Sequence, residues 1–216
     1  LKLLYEYYDP EKMKDIDLLI SCGDLPPEYL TFFATLCHAP LLYVKGNHDS
    51  KYEYKPPEGC ICIDDDLYVY KGVRILGLGG SMEYIPDSPN QYTERKMRAR
   101  IRRLWWKLWR HKGFDILVTH APAYKLNDME DLPHRGFKAF LDLMDKYSMW
   151  EDTMLIVGTD HGFLLAEHDY WGKNQMPYYN EIAHTPLFVW DPRYRIAGQH
   201  RKSIVQIMDW MPTLLQ

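Results

Sequence analysis

Short apolar runs that end in polar, glycine-containing loops alternate with stretches of helical spacing along this 216-residue chain. No other feature constrains the fold as tightly, because such runs between turn formers read as strands and their alternation with helices reads as α/β. The predicted strands are residues 17–22, 41–44, 60–63, 67–70, 73–78, 116–119, 154–157 and 187–190. A helix over 27–37 opens on a proline, which suits a first helical turn. A second, over 93–110, carries Met97, Ile101, Leu104 and Leu108 on one face at spacings of four, three and four. Further helices are predicted over 136–147 and from Ser203. The expected fold class is α/β: a mixed β-sheet core flanked by helices, with an α/β C-terminal segment.

Composition enters where it excludes alternatives. Hydrophobic residues make up 46% and charged residues 26%, which supports a packed core and excludes a disordered or collagen-like chain. No apolar stretch approaches the roughly 20 residues of a membrane helix, so no membrane partner is expected. The chain starts at Leu1 without a basic-then-apolar leader, and it reads as an excerpt. Four cysteines, Cys22, Cys37, Cys60 and Cys62, form no CxxC pair; reduced thiols and a cytoplasmic location are expected.

Charge is unevenly spread. Net charge is −4, yet nine Lys/Arg and no acid lie between Arg95 and Lys112, leaving 17 basic against 30 acidic residues elsewhere. Within that stretch Trp105, Trp106 and Trp109 interleave with Arg102, Arg103, Lys107 and Arg110. One reading is nucleic-acid contact; the other is a helix on a sheet, its arginines in water and its tryptophans covering an edge. The acidic remainder favours the second, and nucleic acid is not an expected partner.

Three polar clusters follow predicted strands directly, where α/β sheets place their sites. They are Gly23-Asp24, Gly46-Asn47-His48-Asp49 and Thr119-His120. Singly, Gly-Asp reads as a turn and a strand-end histidine as a hydrogen-bonded surface residue. Together, a carboxylate, an amide oxygen and an imidazole make a mixed oxygen and nitrogen metal site suited to Mn, Fe or Zn. Asp49 is placed to hold the His48 imidazole in one tautomer.

With these clusters, Ile75-Leu76-Gly77-Leu78-Gly79-Gly80-Ser81 and Leu132-Pro133-His134-Arg135-Gly136-Phe137, the chain resembles the calcineurin-like metallophosphoesterases over residues 1–147. The resemblance implies two divalent metal ions bridged by Asp24, with Asn47 and His120 as ligands of the second. It assigns His48 to the leaving group or transition state, oriented by Asp49. The implied reaction is hydrolysis of a small-molecule phosphate ester by a metal-activated hydroxide. The family's opening Asp-x-His and closing Gly-His-x-His are not among these residues, so an impaired enzyme is expected, or a catalytically silent metal-binding or interaction domain.

A second resemblance takes over at about Met149. Trp150-Glu151-Asp152-Thr153, Thr159-Asp160-His161-Gly162, Glu167-His168, Trp171-Gly172-Lys173 and His184-Thr185-Pro186-Leu187 are similar to the C-terminal part of a sulfatase of the alkaline-phosphatase superfamily. It implies Asp160 and His161 as metal ligands, usually of calcium, and Lys173 as the partner of a sulfate ester; a solvated loop is the other reading of 160–161. Ala166 stands where that family more often has glycine. No cysteine here lies in the family's Cys/Ser-x-Pro-x-Arg nucleophile motif. The expected domains are 1–148 and 149–216, joined as a natural fusion, an engineered chain or an assembly artefact. In that arrangement the 154–157 strand takes a vacant sheet position, and Asp160 or His161 supplements Asp24, Asn47 and His120.

Overall fold

The computed structural model describes residues 14, 16–126, 132–152, 154–158, 164–172, 179–185, 187–194, 198–200 and 202–203. It divides into two units, Leu1–Tyr147 and Ser148–Gln216. The class is mixed α/β, small sheets flanked by helices.

In the first unit, β1 (Leu19–Ser21), β2 (Leu41–Tyr43) and β3 (Cys60–Cys62) form an all-parallel sheet, with Leu19 opposite Leu41 and Leu41 opposite Cys60. Parallel neighbours need a crossover, and α1 (Pro27–Leu36) supplies it between β1 and β2. The period of two then sorts β2 into two faces. Leu41 and Tyr43 pack with Leu30 and Phe33 of α1 and with Tyr52. Leu42 and Val44 turn the other way, into a core shared with Ile63, Ile75 and Val118.

Those last residues belong to or adjoin a second sheet. Here β4 (Asp66–Tyr70) pairs antiparallel with β5 (Val73–Leu78), which pairs parallel with β8 (Ile116–Thr119). The hairpin between β4 and β5 turns at Lys71 and Gly72, both with positive φ. Two short strands, β6 (Ser81–Met82) and β7 (Gln91–Tyr92), pair parallel beyond β5.

The predicted 93–110 helix is broken. Glu94–Arg103 (α2), capped by the Thr93 hydroxyl accepting from the Lys96 N–H, ends at Leu104, where ψ is −4°; Trp105–Arg110 (α3) restarts there. The Leu104 N–H donates to Ile101 O rather than to a carbonyl four residues back. This tighter step keeps Leu104 and Leu108 both buried. A final helix, α4 (Lys138–Lys146), buries Ala139, Phe140, Leu143 and Met144.

The second unit has a short helix α5 (Met149–Asp152), β9 (Leu155–Gly158) antiparallel to β12 (Leu187–Trp190), a small pair β10 (Leu164–Leu165) and β11 (Trp171–Gly172), and α6 (Asn180–Ala183). The predicted strand at 154–157 is thus shifted by one residue, and 187–190 is as predicted. The helix expected from Ser203 lies outside the described residues. Among those residues no helix is long and apolar enough to cross a membrane, and all four cysteines are free.

Candidate functional site

The loops leaving β1, β2 and β8 meet at the C-terminal ends of their strands, and glycine lets them meet. A Cβ built on Gly46 would stand 2.0 Å from Asp24 Oδ1, and one on Gly23 would stand 2.4 Å from the Gly46 nitrogen. Any side chain at either position therefore displaces the neighbouring loop. Asp24 itself adopts a left-handed backbone, φ 58°. That is a conformation aspartate tolerates better than most residues.

Buried Asp49 staples the loops. Its Oδ2 accepts from the Asp24 N–H at 2.8 Å and the Gly46 N–H at 2.7 Å. Burial pushes the Asp49 carboxyl up from the ordinary range, and those two donors oppose the shift. The sequence expectation was different: Asp49 was to orient the His48 imidazole. Because Asp49 opens a 3₁₀ turn, Asp49–Glu53, its side chain folds back onto the preceding loop and is used up on backbone donors. His48 contributes its own N–H to Asp24 Oδ1 at 2.9 Å. Its exposed ring makes no hydrogen bond among the described residues.

His120, half-buried at the end of β8, completes the cluster. Its Nδ1 lies 2.8 Å from the Cys22 carbonyl oxygen. That oxygen only accepts, so Nδ1 carries the proton. Nε2 is left facing Asn47 Oδ1 at 2.9 Å and Asp24 Oδ2 at 3.5 Å. The Asn47 amide is oriented by donation from Nδ2 to the Tyr84 hydroxyl at 3.0 Å, which leaves its oxygen toward the histidine. An imidazole nitrogen, an amide oxygen and a carboxylate oxygen thus converge. Such a trio is stable with a second proton on the ring or with a cation among the three atoms, and the donor set fits a divalent metal of intermediate hardness. Among the described residues no group of three or more His, Cys, Asp or Glu side chains forms a metal cluster. The set reaches three donors through the Asn47 oxygen.

Tyr84 is a member that sequence reasoning missed. Its one sequence signal is position, four residues after Gly80 on a loop leaving a strand. The glycine loop is itself propped from behind. The Gly80 N–H donates to Lys45 O at 2.7 Å, and Arg100, only 4% exposed, reaches Gly79 O, Asp64 Oδ1 and Asp65 Oδ1 at 2.6–2.7 Å. The guanidinium also lies 4.0 Å from the Tyr92 ring centre.

Asp24, Asn47 and His120 are therefore brought together, with the His48 backbone and the Asp49 carboxylate supporting them. Asp160, His161 and Lys173 lie outside the described residues, and so does any sharing of a metal with 160–161. In the second unit Ala166 has φ 81°, the left-handed conformation that the glycine usual at this place would take freely. His168 stacks on Tyr179 at 3.8 Å, and its Nε2 lies 3.4 Å from Glu181 Oε2.

Comparison with known proteins bears on the C-terminal stretch. Residues 125–216 match the Sulfatase family profile. An arylsulfatase of Clostridium perfringens is 30% identical over 79 residues, 35% of this chain and 16% of that protein. The multifunctional alkaline phosphatase superfamily protein PehA of Trinickia caryophylli is 35% identical over 74 residues, 34% of this chain and 14% of its own length. The chain thus spans about one sixth or less of these two relatives. An uncharacterised protein of Methanocaldococcus jannaschii is 27% identical over 143 residues, covering 61% of this chain and 64% of that one. None of these matches bears a metallophosphoesterase name. The sulfatase match also begins upstream of the break between the two units and of Met149, where the sequence reading placed it.

Proposed function

We propose that the cluster in the first unit is the divalent-metal site of a phosphate-ester hydrolase of the calcineurin-like kind. The observation that carries this reading is the His120 Nε2, Asn47 Oδ1 and Asp24 Oδ2 trio, three acceptors aimed at one point by three separate loops. When bound, a divalent ion such as Mn, Fe or Zn supplies Lewis acidity toward a phosphoryl oxygen and lowers the pKa of water. Asp24, Asn47 and His120 would hold it. The Cys22 carbonyl fixes the His120 tautomer, Tyr84 fixes the Asn47 amide, and Asp49 holds the Asp24 and Gly46 backbones at the separation the trio needs. The exposed His48 ring, free of protein partners among the described residues, is the group available to donate a proton to a leaving alkoxide.

A second reading draws on the family match and has the broader support from relatives: residues 125–216 are a piece of a sulfatase or alkaline-phosphatase superfamily hydrolase. Asp160 and His161 would then be ligands of a calcium ion, and Lys173 would pair with the sulfate ester. Both readings make small-molecule esters the substrates.

Calorimetric titration of the chain with Mn or Zn, followed by colorimetric turnover of an aryl phosphodiester and an aryl sulfate, separates them. The first reading expects metal uptake weakened about 10–100-fold or more by His120→Ala or Gly46→Ala, with diester turnover lost in His48→Ala. Metal uptake without turnover marks a silent binding domain. Uptake unaffected by Gly46→Ala and His120→Ala sinks the first reading, and sulfate turnover lost with Asp160→Ala supports the second.

A further inference from the structure

The outer face of the α2–α3 run carries an aromatic cluster that nothing above uses. Trp105, Trp106 and Trp109 are 60%, 51% and 64% exposed, whereas Leu104 and Leu108 on the inner face are buried. The three rings present on the order of 400 Å² of apolar surface, a patch size that on monomeric proteins commonly marks an interaction site. Arg102, three residues before Trp105, and Arg110, four after Trp106, share this face by helical spacing.

Charge accounting sorts the cations of this run into paired and unpaired. Lys96 pairs with Glu83, Arg98 with Asp142, Arg100 with Asp64 and Asp65, and Lys107 with Asp66. Arg102 and Arg110 are exposed and enter no ion pair among the described residues. Arg95, Arg103 and Lys112 likewise enter no ion pair among the described residues, so the unpaired cations of the run include two beside the tryptophans, in a chain whose remainder is acidic.

Ring geometry decides what kind of anion. Trp106 and Trp109 stack on each other at 4.9 Å and 27°, and Trp105 meets Trp106 edge-on at 5.5 Å and 74°. Much of the π-face area is thus spent within the cluster, on a convex helix. A nucleobase platform needs open faces along a groove. A bilayer interface needs what is present: clustered indoles that settle at headgroup depth beside guanidiniums that meet lipid phosphates.

We infer that this face is a docking surface for an anionic lipid bilayer. The inference is independent of the phosphoesterase reading.

The test is co-sedimentation of the 216-residue chain with phosphatidylcholine vesicles, with and without phosphatidylserine. Binding is expected only with phosphatidylserine and is expected to weaken with salt. Trp106→Ala with Trp109→Ala should lower partition tenfold or more, and Arg102→Gln with Arg110→Gln about 25-fold, near fivefold for each charge. All four side chains are exposed, so thermal unfolding of both double variants should match the parent. Absence of phosphatidylserine-dependent sedimentation overturns the inference, as does binding that both double variants leave unchanged. Tighter, tryptophan-dependent binding to single-stranded homopolymer DNA overturns it in favour of nucleic acid, and a dimer dissolved by the tryptophan variants overturns it in favour of self-association.

Discussion

Arg100→Met is a stringent test of how the candidate site is held. The substitution keeps much of the side chain's length and apolar stem but deletes the guanidinium that bridges Asp64, Asp65, the Gly79 carbonyl and the Tyr92 ring. Breaking a buried ion pair by removing one partner typically costs 3–5 kcal/mol, because the remaining charge is left uncompensated. Here the low end applies. Asp65 is close to half exposed, and Asp64 keeps the Gly79 N–H at 2.7 Å. A loss of about 3 kcal/mol is expected, or roughly 10 °C in the transition of the first unit. Burial already pushes the Asp65 carboxyl up, against the pull of Arg100. Without the guanidinium it rises further, and a raised folded-state value means stability gained as pH falls, so the deficit should shrink toward acid pH. Urea unfolding followed by circular dichroism at several pH values measures both effects. Restoring neutrality with Asp64→Asn and Asp65→Asn should recover part of the loss. A cost below about 1 kcal/mol, or a deficit that grows in acid, would refute the reasoning.

Two further outcomes are specific. Ala166→Gly relieves a left-handed alanine, φ 81° and ψ 4°, and should stabilise the second unit by about 0.5 kcal/mol after the larger chain entropy of glycine is subtracted; a lowered melting temperature would contradict this. Asp115 is hydrogen-bonded by Arg74, which holds its carboxyl below the ordinary range. Its contribution is therefore present above the unfolded value and lost as pH falls through the folded one. Asp115→Asn should cost about 1 kcal/mol or less at neutral pH, given the pair's exposure, and nothing in strong acid, as urea midpoints at the two conditions would reveal.

Strands made of apolar residues between turn formers were legible because their period and punctuation are local. Residues 73–78, 116–119 and 187–190 coincide with observed strands end to end. The break at Leu104 was not legible, since spacing shows that Ile101, Leu104 and Leu108 share a face but not that the step from Ile101 to Leu104 tightens. The candidate ligands announced themselves as polar groups at strand ends. Asp49 did not announce its partners: sequence adjacency suggested His48, whereas the carboxylate is claimed by N–H groups 3 and 25 residues away. Tyr84 and Arg100 act through the tertiary fold alone, one across 37 residues to Asn47 and the other across 21 to Gly79. No local pattern encodes such reach. The chain's two sequence resemblances fall on either side of the break between its units, while the family match runs from 125 and crosses it.

The hydrogen bond from His120 to the Cys22 carbonyl spans 98 residues and joins a strand of one sheet to a strand of the other. During synthesis, a nascent chain that has emerged only as far as β7 holds the Asp24 and Asn47 loops but lacks the imidazole that closes on them. The parallel pairing of β8 with β5 is the kind of non-local step that folds late, and it delivers that imidazole. Until it forms, the Asp24 and Asn47 loops lack their third member, and the trio exists only once the last of these strands is laid down.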